Sequence, residues 1–529
     1  MKRRSFLKTA ATSTVVPITI SGLGLRTYNS TSLLNAIGKR SADGKVLVII
    51  QLNGGNDGLN TVIPLDQYSN LSKARSNVII EESKVLKLNG WDKTGLHPKM
   101  TGIQNLFNDG KVNVVHSIGY PQPDFSHFRA TDIWMSASDS NKIVTTGWMG
   151  RYLNSKYPNF PTNYPNTIMP DPLAIQIGSL VSLTFMGPTT GMGMAITDPS
   201  TFYSLVDNVS PTVPNTPAGE ELAFIRLMAQ QTNEYADVIK GAAGKGKNLS
   251  TKYPTSNGRN NLSEQLKIVA KLIHGGLQTP VYMVSIGGFD THSNQVDTAS
   301  TADGDHATLL KSLSDAIEAF QDDLKLLGIS DRVVGMTFSE FGRRIQSNGS
   351  GGTDHGAGAP LIVFGDAVQP GLIGNNPTIP STTTVNDNVP MQFDFRQVYA
   401  TILKDWFELP SADVDSIMGG AFDTLPIFKN SMSNIEDFAD LVTQIGMDAI
   451  QPNPISNEGV LNFYTDSGGS ISLNLYNAQG SRIKTFFSRD FSAGSHTYMA
   501  NFEDIPNGNY ILQLSSRIKS QSQFIQILK

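Results

Sequence analysis

The sequence contains no cysteine in 529 residues. That absence excludes disulfides, thiolate nucleophiles and thiolate metal sites, so any metal must be held by carboxylates, imidazoles or hydroxyls. Histidine is scarce as well, at 8 in the whole chain. Charge is sparse: Asp, Glu, Lys and Arg make up 16% of the residues and the net charge is −5, which leaves no basic surface of the kind nucleic acid needs. No run is apolar enough to span a bilayer, which takes about 20 strongly apolar residues. The least charged stretch, Thr9 to Leu25, is diluted by Ser, Thr, Gly and Pro17. There is no G-x-S-x-G elbow, which removes the usual α/β-hydrolase signature. GAAGKGKN (Gly241 to Asn248) puts Asn248 where a phosphate-binding loop needs Ser or Thr, and it follows an amphipathic helix rather than a strand. Nucleotide binding is rejected on both grounds.

What is present begins at the N-terminus. MKRRSFLK carries Arg3-Arg4 followed by Phe6-Leu7-Lys8 and resembles a twin-arginine export signal, so residues 1–40 are read as signal and leader. Next comes KVLVIIQL (Lys45 to Leu52), a continuous apolar, β-branched run that predicts a buried parallel strand, ending in the turn residues NGGNDGLNT. A helix is expected around Pro98 to Asp109, then a strand in KVNVVHSIG. VYMVSIGGFDTH and RVVGMTFSEFGRR repeat the theme of an apolar strand with polar residues at its C-terminal end. LIVFG (Leu361 to Gly365) is a further short strand. Amphipathic helices are expected over Glu221 to Lys240, Leu262 to His274 and Thr308 to Leu327. This alternation predicts a doubly wound α/β domain over 41–435 with helices on both faces of the sheet. Residues 158–217, rich in Pro, Asn, Thr and Met, are read as an insertion capping the sheet edge. Residues 436–450 are read as a linker, and the short alternating runs of 451–529 predict a small all-β sandwich.

In doubly wound sheets the chemistry gathers beyond the carboxyl ends of the strands. Four polar clusters lie there. Asp57 follows the first strand among glycines that permit close backbone approach, which suits a metal ligand. Ser126 and His127, in PDFSHFRATDIW, stand at an expected helix start, where a serine is a nucleophile or, more commonly, an N-cap. Asp290 and His292 are two apart, so an extended segment points them the same way as a ligand pair; His306 follows at another helix start. The fourth cluster joins Glu340 with Arg343 and Arg344, either suited to bind an anion bidentately, to Asp354-His355 in a glycine-rich loop. Structural turns need no such concentration of ligand types.

Taken in order, LNGGNDGLNTVIP, SHFRATDIW, GGFDTH, SEFGRR and GGTDHGAGAP resemble the family called domain of unknown function 1501, itself similar to the alkaline phosphatase and sulfatase superfamily. The resemblance implies an alkaline-phosphatase-like fold. Asp57 would be a bridging metal ligand, Ser126 would stand in the nucleophile region, Asp354-His355 would match the superfamily's Asp-His pair, and Asp290 with His292 would supply a second metal. Here Asp290 and His292 stand closer together than the superfamily's usual first-metal pair. The last 75 or so residues resemble the C-terminal sorting domain of type IX secretion cargo, through PNP at the entry, LYNAQG, IPNGNYILQL and the terminal Lys529.

The expectation is an exported hydrolase of phosphate or sulfate esters, small-molecule or glycan. It would be handled by the twin-arginine translocase and the type IX machinery and delivered through the periplasm to the cell surface or beyond. One or two divalent ions (zinc, manganese, magnesium or calcium) would be held by Asp57, Asp290, His292, Glu340, Asp354 and His355, with Ser126, His127 and Arg343 catalytic. The rival expectation is a non-catalytic surface protein binding glycan or another envelope component on the same scaffold.

Overall fold

The computed structural model describes residues 16–20, 23–27, 44–199, 235–254, 262–429, 445–465, 469–477, 482–492, 494–516 and 520–529. Arg3-Arg4 lies outside the described residues; of the leader, only an antiparallel pair, Val16–Ile20 with Leu23–Thr27, is described. The chain divides into two compact units, Met1–Lys429 and Asn430–Lys529. Among the described residues no helix is long and apolar enough to cross a membrane.

The first unit is built on one large sheet. Its strands are β1 (Val46–Asn53), β2 (Val112–Gly119), β3 (Ala174–Ile177), β4 (Met194–Ile196), β5 (Val281–Gly287), β6 (Val333–Phe338), β9 (Ala359–Phe364), β10 (Gly371–Ile373) and β11 (Phe393–Asp394). A separate hairpin of β7 (Gly342–Ser347) and β8 (Thr353–Gly356) lies between β6 and β9 in the chain. The spatial order is β10-β2-β9-β6-β1-β5-β3-β4, with β11 also on β2. The centre, β6-β1-β5-β3, is parallel. β9 runs antiparallel to both β6 and β2, so the sheet is mixed. The cause is local: parallel neighbours need a crossover of a dozen or more residues, usually helical, and the chain from β6 to β9 carries only the hairpin. Residues 158–199 do more than cover an edge, because β3 and β4 extend the sheet itself; 200–217 lie outside the described residues.

Burial on both faces follows from the alternation of side chains along a strand. In β1, Val46, Val48, Ile50 and Leu52 enter one core with α1 (Thr101–Asn108), α3 (Leu262–His274) and α4 (Asp305–Leu326). Leu47 and Ile49 enter the opposite core with α2 (His127–Ser136) and α5 (Phe395–Thr401). Each such side chain taken from water stabilises by roughly 1.5–3 kcal/mol, which is why β1 is apolar without alternation. The expected helix at Glu221 to Lys240 is described only from residue 235, where a helix runs through 235–245. Because β1, β2, β5 and β6 share one direction, their C-terminal ends meet at a single edge.

The second unit holds a three-stranded and a four-stranded antiparallel sheet between residues 445 and 527. Glu458–Thr465 buries every second residue, and Leu461 and Phe463 meet Leu473, Leu475, Leu512 and Leu514 in one core. This is the expected all-β sandwich.

Candidate metal centre

Four strand-end segments supply the site. Gly54, just past β1, has φ +122, and a Cβ there would lie 2.3 Å from the amide nitrogen of Asp290. Only glycine lets the first strand end touch the loop carrying Asp290 and His292. Gly352 does the same for the hairpin, since a Cβ on it would lie 2.4 Å from the carbonyl carbon of His292.

Into this frame His127, at the start of α2, projects its ring between Asp290 and Glu340. Its Nδ1 lies 2.9 Å from Glu340 Oε1, which also accepts from the Gly54 amide at 2.8 Å. Its Nε2 lies 3.4 Å from Asp290 Oδ2. His292 places Nδ1 at 3.0 Å from Asp354 Oδ1 and Nε2 at 3.1 Å from Asp290 Oδ1. His355 places Nδ1 at 2.8 Å from the Phe125 carbonyl and Nε2 at 3.2 Å from Asp290 Oδ1. All three Nδ1 atoms therefore meet acceptors that hold their protons, which fixes the tautomers and turns three Nε2 lone pairs toward one carboxylate. The His292 and His355 Nε2 atoms stand 2.9 Å apart. Two lone pairs at that distance repel unless a proton or a cation lies between them. One ligand atom each from His127, Asp290 and His355 lies within 4.8 Å of the others, the spacing of a metal's donors. Burial raises the Asp290 carboxyl, but the Arg343 guanidinium that donates to it outweighs this and holds the group at about 2, so it is an anion at any working pH. Burial lowers the His355 imidazole, keeping its lone pair free.

Arg343 is the clamp beneath. It donates to the carbonyls of Gly55 (2.7 Å), Thr353 (2.8 Å), Gly54 (2.5 Å) and Phe289 (3.0 Å) and to Asp290 Oδ1 (2.8 Å). Its guanidinium is buried and engaged on every nitrogen, so the structure gives it to the loops rather than to a substrate anion. Arg344 is likewise tied, to the carbonyls of His355 and Asn386.

Asp57 lies apart from the three imidazoles. It is fully buried, pairs with Arg75 Nη1 at 2.8 Å, accepts from Gln295 Nε2 at 2.6 Å, and caps the short helix after it through the Leu59 amide. Gln295, also fully buried, uses its carbonyl oxygen to take Thr353 Oγ1 at 2.7 Å and Thr291 Oγ1 at 3.3 Å. One amide thus straps the turn after β1 to the loop that carries Asp290 and His292 and to the hairpin that carries Asp354 and His355. His306 stands in this same layer: it is 1% exposed, bonds Asn56 Oδ1 through Nε2 at 2.9 Å, and burial lowers it to about 4.

Asp354 holds His292 by its outer nitrogen, and Glu340 holds His127 in the same manner. Ser126 occupies the N-cap position of α2, but its hydroxyl makes no capping bond and is exposed. A cavity of about 380 Å³ opens beside the cluster, lined by Asn53, Gly54, His127, Phe128, Thr131, Asp132, Asp290 and Glu340. Ser126 is not in that lining. Arg75 and Gln295 had no motif to announce them, and Phe128 and Asp132 lie inside SHFRATDIW, which names no role for either. Only the helical spacing of His127, Thr131 and Asp132 on one face hints at the last.

Residues 214–418 match the family described as "Protein of unknown function (DUF1501)". Residues 449–528 match the "Secretion system C-terminal sorting domain". The first match contains Asp290, His292, Glu340, Arg343, Asp354 and His355, whereas Asp57, Ser126 and His127 precede it. No curated protein matches the sequence. Among solved structures the chain is similar to PsFucS1 sulfatase from Pseudoalteromonas sp., at 12% identity over 90% of this chain and 87% of that one, with a TM-score of 0.33. It is also similar to a protein in the alkaline phosphatase superfamily from Vibrio parahaemolyticus (10% identity, 92% and 82% covered, TM-score 0.30). A third is alkaline phosphatase from the Antarctic bacterium TAB5 (10% identity, 61% and 92% covered, TM-score 0.24).

Proposed function

We propose that the protein is an exported, metal-dependent hydrolase of phosphate or sulfate esters, sent to the cell surface or beyond by the type IX machinery. The observation that carries the reading is the convergence of three imidazole Nε2 atoms on the Asp290 carboxylate, each ring fixed from behind by its own acceptor. The donor set fits a metal: His127, Asp290, His292 and His355 would hold it, with Glu340 and Asp354 orienting two of the rings. Imidazole-rich sets suit zinc and similar ions better than magnesium or calcium, which prefer oxygen. When bound, the metal supplies Lewis acidity, polarising the ester oxygens and lowering the pKa of a water.

The chain's own residues do the rest. Arg343 locks Asp290 in place by hydrogen bonds rather than steadying the substrate. Because Ser126 lies outside the cavity lining, the attacking oxygen is assigned to water. A P–O or S–O bond forms from the water oxygen as the ester bond breaks, and a water proton leaves with the alcohol. Asp57 is assigned to positioning rather than ligation, since Arg75 and Gln295 already occupy it.

The test is elemental mass spectrometry of the purified full chain with assays on nitrophenyl phosphate and nitrophenyl sulfate. About one metal ion per chain with chelator-sensitive hydrolysis is expected. A chain that takes up no zinc, manganese, magnesium or calcium sinks the proposal. Glu340→Gln removes the anion behind His127, and metal affinity should fall about 10–100-fold, read by chelator competition. An unchanged affinity would remove Glu340 from the site.

A further inference from the structure

The hydrolase reading leaves the substrate's other half open, and the cavity wall speaks to it. Asp132, Asp290 and Glu340 put three carboxylates into the lining, and no lysine or arginine is among the lining residues. Asp290 and Glu340 are already answered by Arg343 and the imidazoles. Asp132 is not: it is exposed on α2, and no described residue forms an ion pair with it. The basic groups nearby face elsewhere. Arg129 donates to the carbonyls of Asp139, Ser140 and Lys142 at 3.2, 3.0 and 2.5 Å. Arg343 and Arg344 are bound to backbone as described.

Phe128 lies four residues before Asp132 on the same helix, so the two side chains share one face. Both line the cavity beside His127, and Phe128 is 87% exposed. An aromatic face next to an unpaired carboxylate is the combination that receives an ammonium group. The ring quadrupole attracts the cation from one side while the carboxylate answers its charge from the other. A substrate whose far end were a second anion would meet Asp132 with nothing to compensate it.

Resting on the hydrolase reading, we propose that the site takes zwitterionic esters: a phosphate or sulfate head at the imidazole cluster and an ammonium-bearing alcohol against Phe128 and Asp132. Phe128 and Asp132 are then specificity determinants that select the leaving alcohol.

Zinc-loaded full chain separates the possibilities with three probes at low salt: inorganic phosphate, phosphocholine, and 3,3-dimethylbutyl phosphate, the isostere of phosphocholine that lacks only the ammonium charge. The quantity read is the ratio of kcat/KM for the two esters, or of their dissociation constants where turnover is absent. Phosphocholine is expected to be favoured about tenfold, combining one cation–π contact with one exposed ion pair. The preference should fall toward unity in Asp132→Asn, shrink in Phe128→Ala, and weaken as salt is raised. Both side chains are exposed, so neither variant threatens the fold. A preference of unity, or one that survives both substitutions, overturns the inference while phosphate binding keeps the hydrolase reading intact. Failure of the zinc-loaded protein to bind either inorganic phosphate or, in a parallel titration, inorganic sulfate overturns both.

Discussion

His127→Ala is expected to reduce ester hydrolysis about a thousandfold, which corresponds to about 4 kcal/mol of transition-state stabilisation. The geometry sets the size. His127 is the one imidazole of the cluster that also lines the cavity, and it reaches both Asp290 and Glu340. Removing it takes away a donor and leaves the buried Glu340 carboxylate with the Gly54 amide but without its imidazole partner. The fold should be little affected, because the ring is partly exposed and α2 is anchored by Ile133 and Trp134 on its buried side. Ser126→Ala is the matched control. A serine nucleophile would make that variant as inactive as His127→Ala, whereas an exposed hydroxyl outside the cavity lining predicts activity within about twofold, the ordinary range for a neutral surface change. Parallel assays of the two variants on nitrophenyl phosphate decide it. If Ser126→Ala is dead and His127→Ala is active, the roles assigned here are reversed.

Much of this arrangement is legible in the sequence, for reasons that also mark where legibility ends. Apolar runs closed by Gly, Asp, Glu and His state that strand ends carry the chemistry, and β1, β5 and β6 lie where those runs are. The antiparallel course of β9 is harder to read. LIVFG looks the same in either direction, and only the absence of a helix between β6 and β9 betrays it. Asp354-His355 shows the same limit at the level of side chains. Adjacent residues of an extended segment point to opposite sides, and here His355 turns its Nε2 to Asp290 while Asp354 meets the outer nitrogen of His292. Sequence shows the pair, but which member faces Asp290 depends on the register of the hairpin. Asp57 is a carboxylate at a strand end, as a ligand would be; its partner Arg75 is 18 residues on, with no motif to connect them. Long-range pairing of that kind is decided by packing, and only coordinates display it.

Acidification is expected to unfold the first unit selectively, with a loss of about 6 kcal/mol between pH 7.5 and pH 5 in metal-free protein. Three of its histidines are buried outside the imidazole cluster. Burial lowers His97 to about 3, His116 to about 4 and His306 to about 4. For His306, attraction to Asp57 opposes burial without overcoming it. His116 has no hydrogen-bond partner for its Nε2, so a proton placed there would have nothing to bond. The unfolded chain binds protons at each of these rings near the ordinary value of about 6.5. The folded values are depressed, so their contribution is fully present above about pH 6.5 and drains away as pH falls toward 4 and 3. At pH 5 each ring has lost about 1.5 units of that interval, or about 2 kcal/mol, and three together remove a large share of the 5–15 kcal/mol typical of a domain. The second unit carries a single histidine, His496, which is only half-buried, so no fully buried imidazole stands in its sandwich. Calorimetry of the chelator-treated full chain at both pH values should show the transition of the larger unit moving down while that of the smaller one stays. Replacing His116 by glutamine should recover about a third of the loss. A larger unit whose melting temperature is the same at pH 5 and pH 7.5 would mean that these imidazoles are solvated in the folded state, and that the polar layer behind the imidazole cluster is open to water.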